Sequence, residues 1–296
     1  MSIATIEGFA RGFVDAPYPG SETGVAGLNG FYFGYGVGGP PVDNHLQYVM
    51  IAPGGPSIDL TPGADLGPLG AGPGRISLGY RDEDHGDSED RYFYRTSHTM
   101  LSANIARRYQ VRDLGVVGVE TRPLPPELRR TGPRPRNQFV AIAGFRVFFT
   151  GNRDHHLDRL AVTINDDETY TVAFHDKKPD DVYAYAIDFV KVSGFLLDYR
   201  LRQVSGSAKG YDIVDIGPDS GRAMVLRGFD FNFRYADHHL REIGVLRVGS
   251  NLQVIYGDKN GDDRFDYTVK WAEVGQRLPE WATEVQPAMA MAETGA

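Results

Sequence analysis

With 296 residues, a formal charge of -8 and no cysteine, the chain excludes several function classes at once. Its acidic balance argues against a nucleic-acid backbone as the main partner, and the missing thiols remove disulfides, Cys-ligated zinc and a cysteine nucleophile. Hydrophobic content of 41%, with 36 glycines and 18 prolines, points to a globular chain of short strands and many turns.

The first twenty residues lack a charged segment followed by an apolar run, so no Sec leader is expected. No run of about 18 apolar residues is available to span a membrane as a helix. The expected location is cytoplasmic, or outside the cell after release without a Sec signal.

The first strand pattern of note is "GFYFGYGVGGPPVDNHLQYVMI" from Gly30. After it comes a Gly/Pro-rich stretch, "APGGPSIDLTPGADLGPLGAGPG" (52–74), which reads as an interaction arm or a plain loop. An acidic turn, "DEDHGDSED" from Asp82, then leads into a strand bearing Tyr92 and Tyr94. Further on, "PPELRRTGPRPRNQ" from Pro125 is basic but broken by proline, a solvated connector.

The chain then repeats itself. "GFRVFFTGNRDHHLDRLAVTI" from Gly144 lies on "GFDFNFRYADHHLREIGVLRV" from Gly228. Downstream, "VAFHDKKPDDVYAYAIDFVKV" from Val172 lies on "VIYGDKNGDDRFDYTVKWAEV" from Val254, and the Gly30 segment is a fainter third copy. The modules are placed at 1–105, 106–192 and 193–280, followed by a flexible acidic tail at 281–296. Phe229, Phe231 and Phe233 alternate, as do Phe145, Val147 and Phe149. Period two is the mark of half-buried antiparallel strands. The expected fold is all-β: three tandem homologous antiparallel, sandwich-like modules, open to a pseudo-threefold arrangement.

Paired histidines invite a metal or catalytic reading, but neighbours on a strand point to opposite faces. The unit common to all three copies is Asp-x-His-Leu: Asp43/His45, Asp154/His156 and Asp237/His239. This unit reads as a hydrogen-bonded structural corner. A metal role requires that the three corners meet, or that each meets its own acidic turn. The third acidic turn, "DKNGDDRFD", offers Asp258, Asn260, Asp262, Asp263 and Asp266 as oxygen ligands, so Ca2+ is the one cofactor to consider. It departs from an EF-hand loop at its sixth and twelfth positions, Asp263 and Val269. A hairpin turn whose Asp and Asn side chains bond their own backbone is the plainer reading.

Tyr92/Tyr94, Tyr183/Tyr185 and Phe265/Tyr267 recur after the acidic turns as cross-strand core pairs or as a sugar-binding platform. No nucleophile elbow, P-loop, dinucleotide fingerprint or zincin motif occurs. The leading expectation is a non-enzymatic structural or interaction protein, part of a tail-like or shell-like assembly, with protein partners or self-assembly. The alternatives are a calcium-assisted carbohydrate-binding protein with a glycan partner, and a metal-dependent hydrolase.

Overall fold

The computed structural model describes residues 2–18, 24–35, 46–54, 58–59, 74–82, 91–102, 104–116, 118–130, 137–149, 156–176, 182–194, 197–218, 221–234, 239–258 and 263–276. Asp43, His45, Asp154, Asp237, Asn260, Asp262, most of 52–74 and the tail lie outside this set.

All regular elements among the described residues longer than a single turn are strands. The first set is β1 (Ser2–Ala10), β2 (Phe13–Pro17), β3 (Gly24–Tyr35), β4 (Leu46–Pro53), β5 (Ile58–Asp59), β6 (Arg75–Asp82) and β7 (Tyr92–Ser102). The second is β8 (Ala106–Val116), β9 (Gly118–Pro123), β10 (Gln138–Phe149), β11 (Leu157–Ile164), β12 (Thr169–Asp176) and β13 (Val182–Ser193). The third is β14 (Leu197–Lys209), β15 (Tyr211–Asp215), β16 (Ala223–Phe233), β17 (Leu240–Val248), β18 (Asn251–Asp258) and β19 (Arg264–Gln276).

Apart from β5, the three sets pair internally in the same way. The opening strand pairs with the last (β1·β7, β8·β13, β14·β19), and the last also pairs with the Gly-Phe strand (β3·β7, β10·β13, β16·β19). The remaining three strands form a second half-sheet: β4·β6·β2, β11·β12·β9 and β17·β18·β15.

Apart from one hairpin contact between β14 and β15, the two half-sheets of one module do not pair with each other. Instead, each Gly-Phe strand pairs with the second half-sheet of a different module: β3 with β17, β10 with β4, and β16 with β11. That order closes on itself. Three six-stranded antiparallel sheets result, each shared by two modules, around one pseudo-threefold axis. The hairpin contact Lys209↔Tyr211 links two of them into a continuous ladder, and β5 adds a parallel strand beside β8 on the third.

The axis is marked by Phe31, Phe145 and Phe229, the phenylalanines of the three Gly-Phe pairs. Their ring centroids lie 5.3, 5.0 and 5.1 Å apart, and all three are fully buried. Burying each phenyl contributes about 1.5–3 kcal/mol. The glycine before each one sits at a register shift in its strand. A methyl at Gly144 would lie 2.2 Å from the Ile51 carbonyl oxygen, and one at Gly228 would lie 2.6 Å from Thr163 Cα. Glycine is therefore needed where one module's strand crosses against its neighbour's. The alternating aromatics that follow, Phe33, Tyr35, Val147, Phe149, Phe231 and Phe233, fill the same core.

Candidate functional site

The sequence's two distinctive features, the histidine corner and the acidic turn, come together at one end of this body. Across each ladder, the leucine of Asp-x-His-Leu faces the first aspartate of its own module's acidic turn: Leu46↔Asp82, Leu157↔Asp176 and Leu240↔Asp258. In the third module the link is explicit. His239 donates its backbone N–H to Asp258 Oδ1 at 2.7 Å, and Asp258 is buried. In that module the head of the acidic turn thus caps the backbone at the corner.

Corners of different modules also meet. The His156 and His239 rings pack edge to face, with centroids 4.5 Å apart, and His156 is buried. Around them, Tyr80 donates its hydroxyl to the Leu240 carbonyl at 3.3 Å, and Tyr256 donates to the Leu157 carbonyl at 3.4 Å. These bonds run from one module to the next in the same cyclic sense as the sheets. Phe174 holds the third equivalent position and has no hydroxyl to offer. Burial pushes the Tyr256 hydroxyl well above the ordinary phenol range, with the Asp158 carboxylate adding to the effect. Tyr256 therefore acts only as a neutral donor.

The long edges of the body carry a second repeated feature. At each edge the opening strand of a module leaves one sheet and its next strand enters the following sheet: β1 to β2, β8 to β9, β14 to β15. A glycine with positive φ stands at all three bends: Gly12 at 63°, Gly210 at 65° and, at the start of β9, Gly118 at 149°. A left-handed bend of this kind suits a residue without Cβ. Immediately after each bend a large apolar side chain stands in solvent: Phe13 at 46%, Val119 at 53% and Tyr211 at 65% exposure. Their ladder partners, Gly79, Ala173 and Ile255, confirm that the three positions are equivalent. Phe9, Leu114 and Ile213 add exposed apolar surface on the same strands.

No family model matches the chain, and no curated protein matches its sequence. Among solved structures, the major capsid protein P2 of bacteriophage PM2 is similar over 65% of this chain and 98% of its own, at 11% identity and a TM-score of 0.23. A chain from the atomic structure of Sulfolobus Turreted Icosahedral Virus matches over 86% and 81%, at 6% identity and 0.17. A chain from an archaeal virus described by its triple jelly roll fold matches over 94% and 84%, at 8% identity and 0.18. Scores this low do not establish a shared fold.

The acidic turn itself is partly engaged. Asp266 receives Nε and Nη2 of Arg234 at 3.1 and 2.8 Å, which holds its carboxyl below the usual range, and Asp258 receives His239. Asp263 is half-buried. Among the described residues no three His, Asp or Glu side chains gather as metal ligands. The aromatics considered for a sugar platform, Tyr92, Tyr94, Tyr183, Tyr185, Phe265 and Tyr267, are all buried in the core. Sequence reading passed over Phe13, Val119 and Tyr211. The available signal was a glycine directly before each one: Gly12, Gly118 and Gly210.

Proposed function

We propose that this protein is a structural, self-associating component of a larger shell-like or tail-like assembly, docking through its three long edges. The observation that carries this reading is the thrice-repeated apolar side chain at equivalent bends, Phe13, Val119 and Tyr211. Single exposed apolar residues are ordinary on protein surfaces. Recurrence at one equivalent position in all three repeats is not explained that way, because the residue type changes while the apolar character stays. Three like edges around an axis suit closed or sheet-like packing of many copies. The opening strand β1, with β7 its one ladder partner among the described residues, adds a backbone edge of the kind that pairs with another chain.

The calcium-assisted glycan reading is weaker, because two of its oxygen donors already have protein partners and its aromatic platform lies inside the core. A hydrolase would need unlike groups converging in one cleft, whereas the polar features at the histidine end repeat one corner. Sedimentation velocity across a concentration series tests the proposal. Species well above the monomer, reduced when Phe13, Val119 and Tyr211 are together replaced by serine, are expected. A monomer at every concentration, alone or with a co-purified partner removed, would sink it.

A further inference from the structure

Of the three opening strands, β1 alone is an unguarded sheet edge. Among the described residues it pairs only with β7, through nine consecutive residues and no bulge. It contains one charge, Glu7, and no proline. The equivalent strand β8 carries Arg107, Arg108, Arg112 and Asp113 and has β5 beside it. The equivalent β14 carries Asp198, Arg200, Arg202 and Lys209, and its end is laddered to β15. The outer strands β2 and β9 end on Pro17 and Pro123. Charges, prolines, bulges and covering strands keep an edge from pairing with another chain. A long regular edge without them is open to such pairing.

The side chains of β1 select the partner. Ile3, Thr5, Glu7 and Phe9 face solvent, while Ala4, Ile6 and Gly8 are half-buried. Ile3 is 60% exposed and Phe9 53%, and they stand symmetrically on either side of Ile6. Phe9 is held in place by Phe93, edge to face with centroids 5.1 Å apart, and by the Arg91 guanidinium 4.6 Å from its ring centre. Glu7 lies 3.5 Å from Arg95 on the neighbouring strand.

On the self-associating role proposed above rests a specific contact: we infer that two copies of this chain join β1 to β1, antiparallel about a two-fold axis at Ile6. In that register Ile3 faces Phe9 of the second copy, twice, and Thr5 faces Glu7. Apolar cross-strand pairs stabilise a sheet, whereas like charges directly opposite destabilise it. Sliding the strands by two residues one way sets Glu7 against Glu7. Sliding them the other way sets Ile3 against Glu7 and leaves Phe9 facing no residue of β1. A slip of one residue turns the exposed set of one copy to the inward side of the other. A two-fold contact is isologous, so one self-complementary edge is enough to make it.

The chain has no cysteine, so introduced thiols report the register without interference. Ile3→Cys and Phe9→Cys proteins are mixed, oxidised in air and run on a non-reducing gel. In the inferred register the two thiols face each other, and the other Ile3–Phe9 contact of the same dimer stays intact. In a dimer of one variant the thiols lie roughly 20 Å apart along the ladder, beyond disulfide reach. The expected result is a linked dimer in the mixture and none in either variant alone. Thr5→Cys mixed with Glu7→Cys reports the same register should Phe9→Cys fail to fold. No dimer in either mixture, or equal linking in Ile3→Cys or Phe9→Cys alone, overturns the pairing. Sedimentation separates this failure from that of the wider role. Large species without the link remove the β1 contact alone, whereas a monomer at every concentration removes both.

Discussion

His239 and Asp258 are joined by a 2.7 Å hydrogen bond from backbone N–H to carboxylate, tying the histidine corner of the third module to the head of its own acidic turn. The bond explains why the two features recur together along the chain. A strand that starts at the corner and a strand that ends at the turn are ladder neighbours, so one aspartate serves both.

Asp258→Ala should therefore destabilise the protein, because it leaves a partly buried N–H unpaired. A cost of about 1–3 kcal/mol is expected. Asp258→Asn keeps an acceptor oxygen and should lose less. Urea midpoints for the two variants check the order, and equal stability of Asp258→Ala and wild type would refute the capping role.

Gly228→Ala should cost about 1–3 kcal/mol, since the added methyl meets Thr163 Cα and the Val162 carbonyl oxygen at 2.6 and 2.9 Å. Both are backbone atoms of β11, which leaves little room to yield. Gly275→Ala is the control: a methyl there meets only the Arg222 side chain, at 3.6 Å. Thermal unfolding of both variants decides it, and similar losses at the two sites would remove the special status of the Gly-Phe pair.

His98 gives the stability a pH dependence. It is fully buried against the edge of Tyr18, and burial holds its pKa down at about 3, against about 6.5 in the unfolded chain. Between those values the unfolded chain binds a proton that the native state refuses. The neutral imidazole's contribution is thus complete above pH 6.5 and is lost as pH falls toward 3, by at most about 1.4 kcal/mol per pH unit. Phe189 and Trp271 occupy the equivalent positions, so His98→Phe keeps an aromatic ring there. Comparing unfolding free energies at pH 7 and pH 5, the wild type should lose more than His98→Phe. Parallel losses in the two proteins would show that His98 does not titrate in this way.

Much of the secondary structure was legible in the residues. Period-two runs such as Phe229, Phe231 and Phe233 are strands with those side chains inside, and the threefold repetition is present in the fold. The exchange of half-sheets between modules was not legible. Alternation tells which face of a strand is apolar, but it does not name the neighbouring strand. Only the Gly-Phe pairs hinted at it, because glycine in an otherwise apolar strand marks a close approach. The exposed edge residues were hidden for a related reason: Phe13 and Tyr211 alternate as core residues do, and topology alone puts them outside.

The cyclic exchange has one consequence that separates it from three modules strung together. No module completes a sheet by itself, so none can unfold while the others stay intact. Differential scanning calorimetry measures this directly. A single transition whose calorimetric and van't Hoff enthalpies agree is the expected result. Two or three separable transitions would contradict the interlocked body.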